Sequence, residues 1–330
     1  MFTRQLGQSG IQVSAMGMGC WAIGGPWTYD NGKNEPSASG WGQVDDAESI
    51  RAIHAGLDMG VNFFDTAANY GAGHSERILA KALDGRRDKV VLATKFGYVV
   101  DQERKFIARN DDDVILANVR QDCEDSLRRL NTDYIDLYQF HVGKYEPEKA
   151  GAVRDALEGL VSEGKIRWYG WSTDNAEGAR VFAQGQHCTA IQHFANWATP
   201  SDFVPILDVC QEFDLASINR GPLTMGLLTG KFQGGDVKLP DDDMRHGWNF
   251  KEGRVAEIMQ SVEDLREVLT SDGRTLAQGA LGWLWARNAR MIPIPGFKTV
   301  AQVQENAGAM AFGPLSAEQM RQIDVLLGRA

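Results

Sequence analysis

Four ionisable side chains fall at, or just beyond, the ends of short apolar runs. Residues 61–65 (VNFFD) close on Asp65, and Tyr70 follows five positions later in FFDTAANYG. The run 89–94 stops at Lys95, and the run 135–140 stops at His141. A phenol titrating near ~10 is a poor acid and a worse base at neutral pH. A neighbouring ammonium stabilises the phenolate and lowers that value, bringing tyrosine into range for general acid–base work. Asp65 would pair with Lys95 and keep it charged, while His141 would donate a hydrogen bond to a carbonyl oxygen. Such a set delivers a proton to oxygen as a hydride reaches carbon. None of the four is a hydride donor, so a nicotinamide cofactor has to supply it.

These residues need elements that bring strand ends together. After a Gly/Ser turn, residues 13–21 (VSAMGMGCW) read as a first strand, and Ile50, Ile53, His54 and Leu57 mark a helix from Asp45 that Gly60 stops. The strand to Asp65 leads to a helix over 75–83 with Ser75 as N-cap. From Asp111 a helix carries Ile115, Val119, Cys123, Leu127 and Leu130 on one apolar face. Strands over 135–140, 166–171, 189–191, 215–218 and 291–294 alternate with helices over 147–163, 176–184, 202–213, 255–269 and 276–287. Helices over 300–310 and 317–327 close the chain.

Eight strands alternating with helices predict a (β/α)₈ TIM barrel over 1–330 as a single domain, with an N-terminal hairpin and extra C-terminal helices. A doubly wound open sheet is the runner-up. It is weakened at Gly17-x-Gly19-x-x-Ala22, a formal dinucleotide fingerprint, because Gly24-Gly25-Pro26 follows where the phosphate-binding helix should open. In a barrel, Asp65, Lys95, His141, Ser172, Gln192 and Arg220 all stand at the C-terminal ends of strands, where active groups gather. The polar segments 24–42 and 226–253 would overhang that face as lids.

Composition narrows the field. The chain has 330 residues, 43% hydrophobic and 24% charged, which suffices for a sizeable core. A net charge of −10 argues against nucleic-acid or acidic-membrane partners. Cys20, Cys123, Cys188 and Cys210 are scattered, which fits a reducing compartment. No signal-like segment and no membrane-length apolar run is found, so the expected location is cytoplasmic. With six histidines and neither H-x-H nor H-E-x-x-H, no metal site is expected.

In order along the chain, GMGCW, FFDTAANYG, LATKFG, YIDLYQFH, GWST, IQHFAN, GPLTMGLLTGKF and IPGFKTVAQVQEN resemble the motifs of the aldo-keto reductase superfamily. The resemblance covers essentially the whole length. It implies a barrel binding extended NADP(H) without a Rossmann domain, and a catalytic tetrad of Asp65, Tyr70, Lys95 and His141. It implies cofactor contacts at Gly19, Cys20, Trp21, Asp65, Ser172, Thr173, Gln192 and Asn196. Further contacts follow at Arg220, Gly221, Pro222, Leu223, Gly226, Leu228, Gly230 and Lys231, and at Gly296, Lys298, Thr299, Gln302, Glu305 and Asn306. Two positions depart from the family pattern. Thr173 replaces a frequent asparagine, and Ala195 stands where an aromatic stacks on the nicotinamide, a role left to Phe194 or Trp197.

Lys298 and the N-terminal amides of the following helix favour a 2′-phosphate, so NADPH is expected over NADH, with weaker NADH use remaining. Substrate contacts are expected at Trp21, Tyr70, His141 and Trp248. The lid segments are polar, with Tyr29, Asp30, Asn31, Lys33 and Asn34 in one and Arg245, His246 and Asn249 in the other. Tryptophan faces among polar donors suit the C–H faces and hydroxyls of a sugar-like carbonyl or alcohol. The alternative function is a cofactor-sensing module on the same barrel, with little turnover. Association into a homo-oligomer is left open.

Overall fold

The computed structural model describes residues 2–32, 35–199, 202–232 and 237–329, so Lys33 and Asn34 of the first lid lie outside the described residues. Eight parallel strands follow one another around a sheet in chain order: β1 (Met18–Gly19), β2 (Phe63–Asp65), β3 (Val91–Phe96), β4 (Ile135–Phe140), β5 (Ile166–Ser172), β6 (Cys188–Phe194), β7 (Ala216–Arg220) and β8 (Met291–Pro293). The ends meet. Gly17 N donates to Pro293 O (2.9 Å), Gly19 N donates to Pro295 O (3.0 Å), and Gly19 bridges Gly296 in parallel. Gly19 allows this seam, because a Cβ there would stand 2.6 Å from Ile294 O.

The helices pack outside the strands. They are α1 (Asp46–Asp58), α2 (His74–Ala82), α3 (Asp112–Leu130), α4 (Pro147–Ser162), α5 (Ala176–Ala183), α6 (Val204–Glu212), α7 (Gly253–Asp264), α8 (Arg266–Leu269), α9 (Leu276–Arg287), α10 (Val300–Phe312) and α11 (Ala317–Leu326). On α3 the buried positions include Ile115, Val119, Cys123 and Leu130, the expected apolar face, with Leu127 half-buried against it. Among the described residues no helix is long and apolar enough to cross a membrane.

Inside the barrel the pleat alternates. Phe63, Val91, Ala93, Leu137, Ala190, Ala216, Ile218, Ile292 and Ile294 fill the lumen together with Leu6 and Val13. Those last two come from the antiparallel hairpin Thr3–Gln5/Gln12–Ser14, which plugs the N-terminal end. Thr189 Oγ1 donates to Leu6 O (2.7 Å), and Gln8 Nε2 donates to Cys188 O (2.6 Å).

Several expectations need correction. The first strand is not continuous over 13–21: the chain turns at 15–17 between the hairpin and β1, and Trp21 opens a 3-10 turn over Ala22–Gly24. Ser75 is not an N-cap. Gly73 takes that position, and Ser75 Oγ instead donates to Cys20 O (2.8 Å). The helix over 255–269 divides at Leu265 into α7 and α8. The polar segments after β1 and β3 are not plain loops. Trp27–Asp30, Ser37–Ser39, Tyr98–Asp101 and Phe106–Arg109 form a four-stranded accessory sheet, with Trp27–Asp30 and Phe106–Arg109 paired in parallel at its centre. The second lid also meets the first: Met244 N donates to Gly40 O (3.2 Å), and Trp41 bridges Asp243.

Leu6 is fully buried beneath the lumen. Leu6→Ala removes that plug and leaves a cavity which the strands cannot collapse to fill. The expected loss is about 2–5 kcal/mol of unfolding free energy, measured by urea denaturation.

Candidate active site

The two-residue strand period builds this site. Side chains that alternate into the lumen are apolar at one level and polar one pleat higher: Ala93 then Lys95 on β3, Leu137 then Gln139 on β4, Ala190 then Gln192 on β6. The parallel register sets Gln139 opposite Lys95 and Asp65 opposite Ala93, so the polar tips converge at the C-terminal mouth.

Lys95 is the centre of the layer. Its Nζ donates to Asp65 Oδ2 (2.6 Å), Thr66 O (2.8 Å) and Tyr70 Oη (2.9 Å), which uses all three ammonium protons. Asp65 Oδ1 accepts from Gln139 Nε2 (2.9 Å) and Gln192 Nε2 (2.8 Å). Lys95 and Asp65 are buried and Tyr70 is 5% exposed. His141 lies beside Tyr70, ring centroids 5.8 Å apart and edge to face. The four residues of the expected tetrad are therefore in one place.

Burial alone would lower the Lys95 ammonium, but the Asp65 carboxylate and Tyr70 outweigh it and hold Lys95 above its ordinary value. For Tyr70 the expected shift is reversed. Burial raises the phenol more than Lys95 lowers it, so it stays protonated. His141 is held well below its ordinary value by burial, then by Lys95 and Arg220, and is neutral.

A cavity of about 660 Å³ opens above this layer. Of the expected cofactor positions, Gly19, Trp21, Asp65, Ser172, Gln192, Arg220, Gly221, Pro222, Leu223, Gly226, Lys231, Gly296, Lys298, Gln302, Glu305 and Asn306 line it. The remainder do not. Cys20 is buried with its Sγ toward Met18 O, and Leu228 joins the outer core. Thr173 Oγ1 donates to Gly143 O (2.7 Å), and Asn196 Nδ2 donates to Gly221 O (3.2 Å); both shape wall loops instead of facing the cavity. Gly230 closes the 3-10 turn Thr224–Thr229, and Thr299 caps α10. Trp248 packs against Phe232 and Phe250, away from the cavity. Phe194 lines the cavity, whereas Trp197 is buried in the outer core, so of the two only Phe194 can face a ring there.

The structure adds residues that sequence reasoning left out. Trp41 lines the cavity, and Arg245, expected only as a polar lid residue, does so too. Arg245 is 5% exposed, grips Asp243 through Nε (2.9 Å) and Nη2 (2.6 Å), and lies 4.3 Å over the Trp41 ring. Lys298 Nζ donates to Trp41 O (2.5 Å). With Arg220 and with Lys231, whose ammonium burial lowers to about 8, these make four cations on one lining. Two of the α10 N-terminal amides are not free as expected. Glu48 of α1 accepts from Val300 N (2.9 Å), Thr299 from Gln302 N (3.3 Å), and Gln302 Oε1 from Lys298 N (2.7 Å). The run 296–302 contains no acid, but α1 brings one to it.

A dinucleotide suits this lining. Arg220, Lys231, Arg245 and Lys298 bring positive charge toward phosphates, and the buried Trp21 Nε1, Trp41 Nε1 and His141 Nδ1 find no partner among the described residues.

The chain matches the family model described as "Aldo/keto reductase family" over residues 15–327. It is 30% identical to aldo-keto reductase YhdN of Bacillus subtilis (strain 168), over 98% of this chain and 92% of that one. Among solved structures, the glycerol dehydrogenase AKR11B4 of Gluconobacter oxydans superposes with a TM-score of 0.82 at 30% identity, covering 99% and 95% of the two chains. An aldo-keto reductase from Klebsiella pneumoniae, solved in complex with NADPH, gives a TM-score of 0.65 at 26% identity, covering 99% and 95%.

Beside Gln192, on the outer face of β6, His193 is buried with Nε2 2.7 Å from Ser217 Oγ. Burial holds its pKa at about 4. Below about pH 6.5 the unfolded chain binds a proton that the native imidazole refuses, so stability falls on acidification toward pH 4 and levels off below it. The expected slope from this one group is ~1.4 kcal/mol per pH unit. His193→Gln should flatten it, as measured by urea unfolding at a series of pH values, while His141 keeps a residual slope of the same sign.

Proposed function

The chain belongs to the aldo/keto reductase family, and from that premise we propose that it interconverts a sugar-like aldehyde or ketone and its alcohol, with Tyr70 as general acid and base. The cofactor is NADPH/NADP⁺. The observation that carries the catalytic part is the 2.9 Å contact from Lys95 Nζ to Tyr70 Oη, made by an ammonium already committed to Asp65 and Thr66.

In the reducing direction a nicotinamide, when bound, would supply the hydride that the carbonyl carbon accepts. As the C=O π pair moves onto oxygen, the Tyr70 O–H bond breaks and its proton passes to that oxygen. The phenolate left behind faces the Lys95 ammonium. Because burial keeps the phenol protonated, Tyr70 holds its proton until the alkoxide develops. Lys95 cannot turn away, since Asp65 and the Thr66 carbonyl hold its other two protons, and Gln139 and Gln192 hold Asp65. Neutral His141 is able to donate to the carbonyl oxygen without placing a second cation beside Lys95. In oxidation each transfer reverses.

The sugar-like part rests on the walls near Tyr70. Trp21 lines the cavity with its ring 5.0 Å from that of Tyr70 and offers an aromatic face to C–H groups, with the buried Trp27 packed behind both rings. The similarity to a glycerol dehydrogenase points the same way. Trp248, His246 and Asn249 do not line the cavity and carry no part of this reading.

With NADPH, glyceraldehyde and other hydroxyaldehydes should be reduced in preference to bulky apolar carbonyls. Tyr70→Phe should lower kcat by roughly 10²–10⁴ while cofactor affinity is kept. Preference for apolar carbonyls over every sugar tried would defeat the substrate class, and near-normal turnover by Tyr70→Phe would remove the acid. Cofactor binding without turnover of any carbonyl would favour a sensor.

NADPH should bind at least about tenfold more tightly than NADH, since one desolvated charge-assisted contact contributes ~1.5–3 kcal/mol. Lys298 spends one proton on Trp41 O and has two left for a phosphate. Titration of both cofactors into wild type and Lys298→Ala checks this. An unchanged ratio in the variant would show that Lys298 does not read the phosphate.

A further inference from the structure

A second cavity of about 610 Å³ lies against the first, with Gly143 and Arg220 lining both. One side is the accessory sheet, which contributes Tyr29, Tyr98 and Arg109. The loops after β4 and β5 contribute the other side, including Lys144, Asp174 and Asn175.

This cavity reaches the reacting residues. The Tyr98 ring stands edge-on to His141 at 5.5 Å, and the Tyr29 ring edge-on to Tyr98 at 6.0 Å. The shared wall is held in place: Thr173 Oγ1 donates to Gly143 O (2.7 Å), Arg220 pairs with Asp174, and Asp174 Oδ1 accepts from Phe194 N (2.8 Å). Thr173, the departure from the family pattern, thus holds the shared wall and does not itself line the cofactor cavity.

The lining decides the chemistry. Three phenols, Tyr29, Tyr98 and Tyr145, both donate and accept, while Asn175 offers its Nδ2 because its Oδ1 caps α5. Asp174 and Glu146 stand among Arg109, Lys144 and Arg220, with Arg220 paired to Asp174, so both signs of charge are present. Hydroxyl groups, which also donate and accept, fit this lining better than an anion or an alkyl chain. The volume exceeds what a three-carbon substrate fills.

We propose that the second cavity is the distal half of the substrate site. It holds the hydroxylated chain of a five- or six-carbon sugar whose carbonyl lies between Tyr70 and His141, and Tyr29 and Tyr98 set the preference for chain length. The inference rests on the sugar-like reading given above. It makes the accessory sheet a specificity element, and the loss of its two hydroxyls should be felt only by substrates long enough to reach them.

The test compares kcat/KM with NADPH for glyceraldehyde, erythrose, xylose and glucose, in wild type and in Tyr29→Phe/Tyr98→Phe. Both rings stay, so the packing on His141 is kept. The expected result is a fall of about tenfold in the glucose-to-glyceraldehyde ratio, carried by KM, as for the loss of one or two hydrogen bonds. Arg109→Ala, at an exposed position, should lower the same ratio without touching the aromatic stack. Sugars turned over with an unchanged ratio in both variants would overturn the inference and leave the functional reading standing. A wild type active on apolar carbonyls but on no sugar would defeat that reading, and this inference with it.

Discussion

The buried pair of Lys95 and Asp65 is the constraint on which the mouth of the barrel depends. Two charges removed from water are tolerable only when each is paired and its remaining hydrogen-bonding capacity is met. Here both conditions hold. Lys95 spends its protons on Asp65, Thr66 O and Tyr70, and the second Asp65 oxygen takes two carboxamides. Deleting one member would strand a buried charge, so the layer is rigid as well as reactive. Tyr70 is brought to it by a tight turn in which Gly71 and Gly73 adopt positive φ of 61° and 82°. A Cβ at Gly71 would fall 1.9 Å from Gly24 O, so this turn also fixes how closely the segment after β1 approaches.

From that layer outward the molecule divides its tasks. The apolar lumen below, sealed by Leu6 and Val13, gives the strands a fixed spacing. The loops above supply two unlike surfaces. One is cationic, where Lys231, Arg245 and Lys298 meet Trp41 and Asp243 across two lids. The other is aromatic and hydroxylated, where the accessory sheet presents Tyr29 and Tyr98. One surface suits phosphates and the other a hydroxylated carbon chain, with the Tyr70–His141 contact between them.

Much of this was legible in the sequence. Asp65, Lys95 and His141 close apolar runs, and a strand's end is a local signal. The alternation of strands and helices is equally local, since periods of two and 3.6 residues show within short windows. Gly24-Gly25-Pro26 excluded a phosphate-binding helix, and the chain there forms only a 3-10 turn. The four residues that the structure brings together, the barrel and the family motifs were therefore accessible from residue order.

Tertiary structure decided what depends on distant segments and on burial. Trp27–Asp30 pairs with Phe106–Arg109, partners 78 residues apart in the chain, and neither segment is strongly strand-like alone. Whether Phe194 or Trp197 faces the cavity turns on how the chain leaves β6. Glu48 reaches the start of α10 only because α1 packs beside it, which no reading of residues 296–302 could reveal. The protonation of Tyr70 was misjudged for the same reason. The nearby ammonium is visible in the sequence, but the opposing desolvation is a sum over every surrounding atom, and only the folded chain fixes that sum.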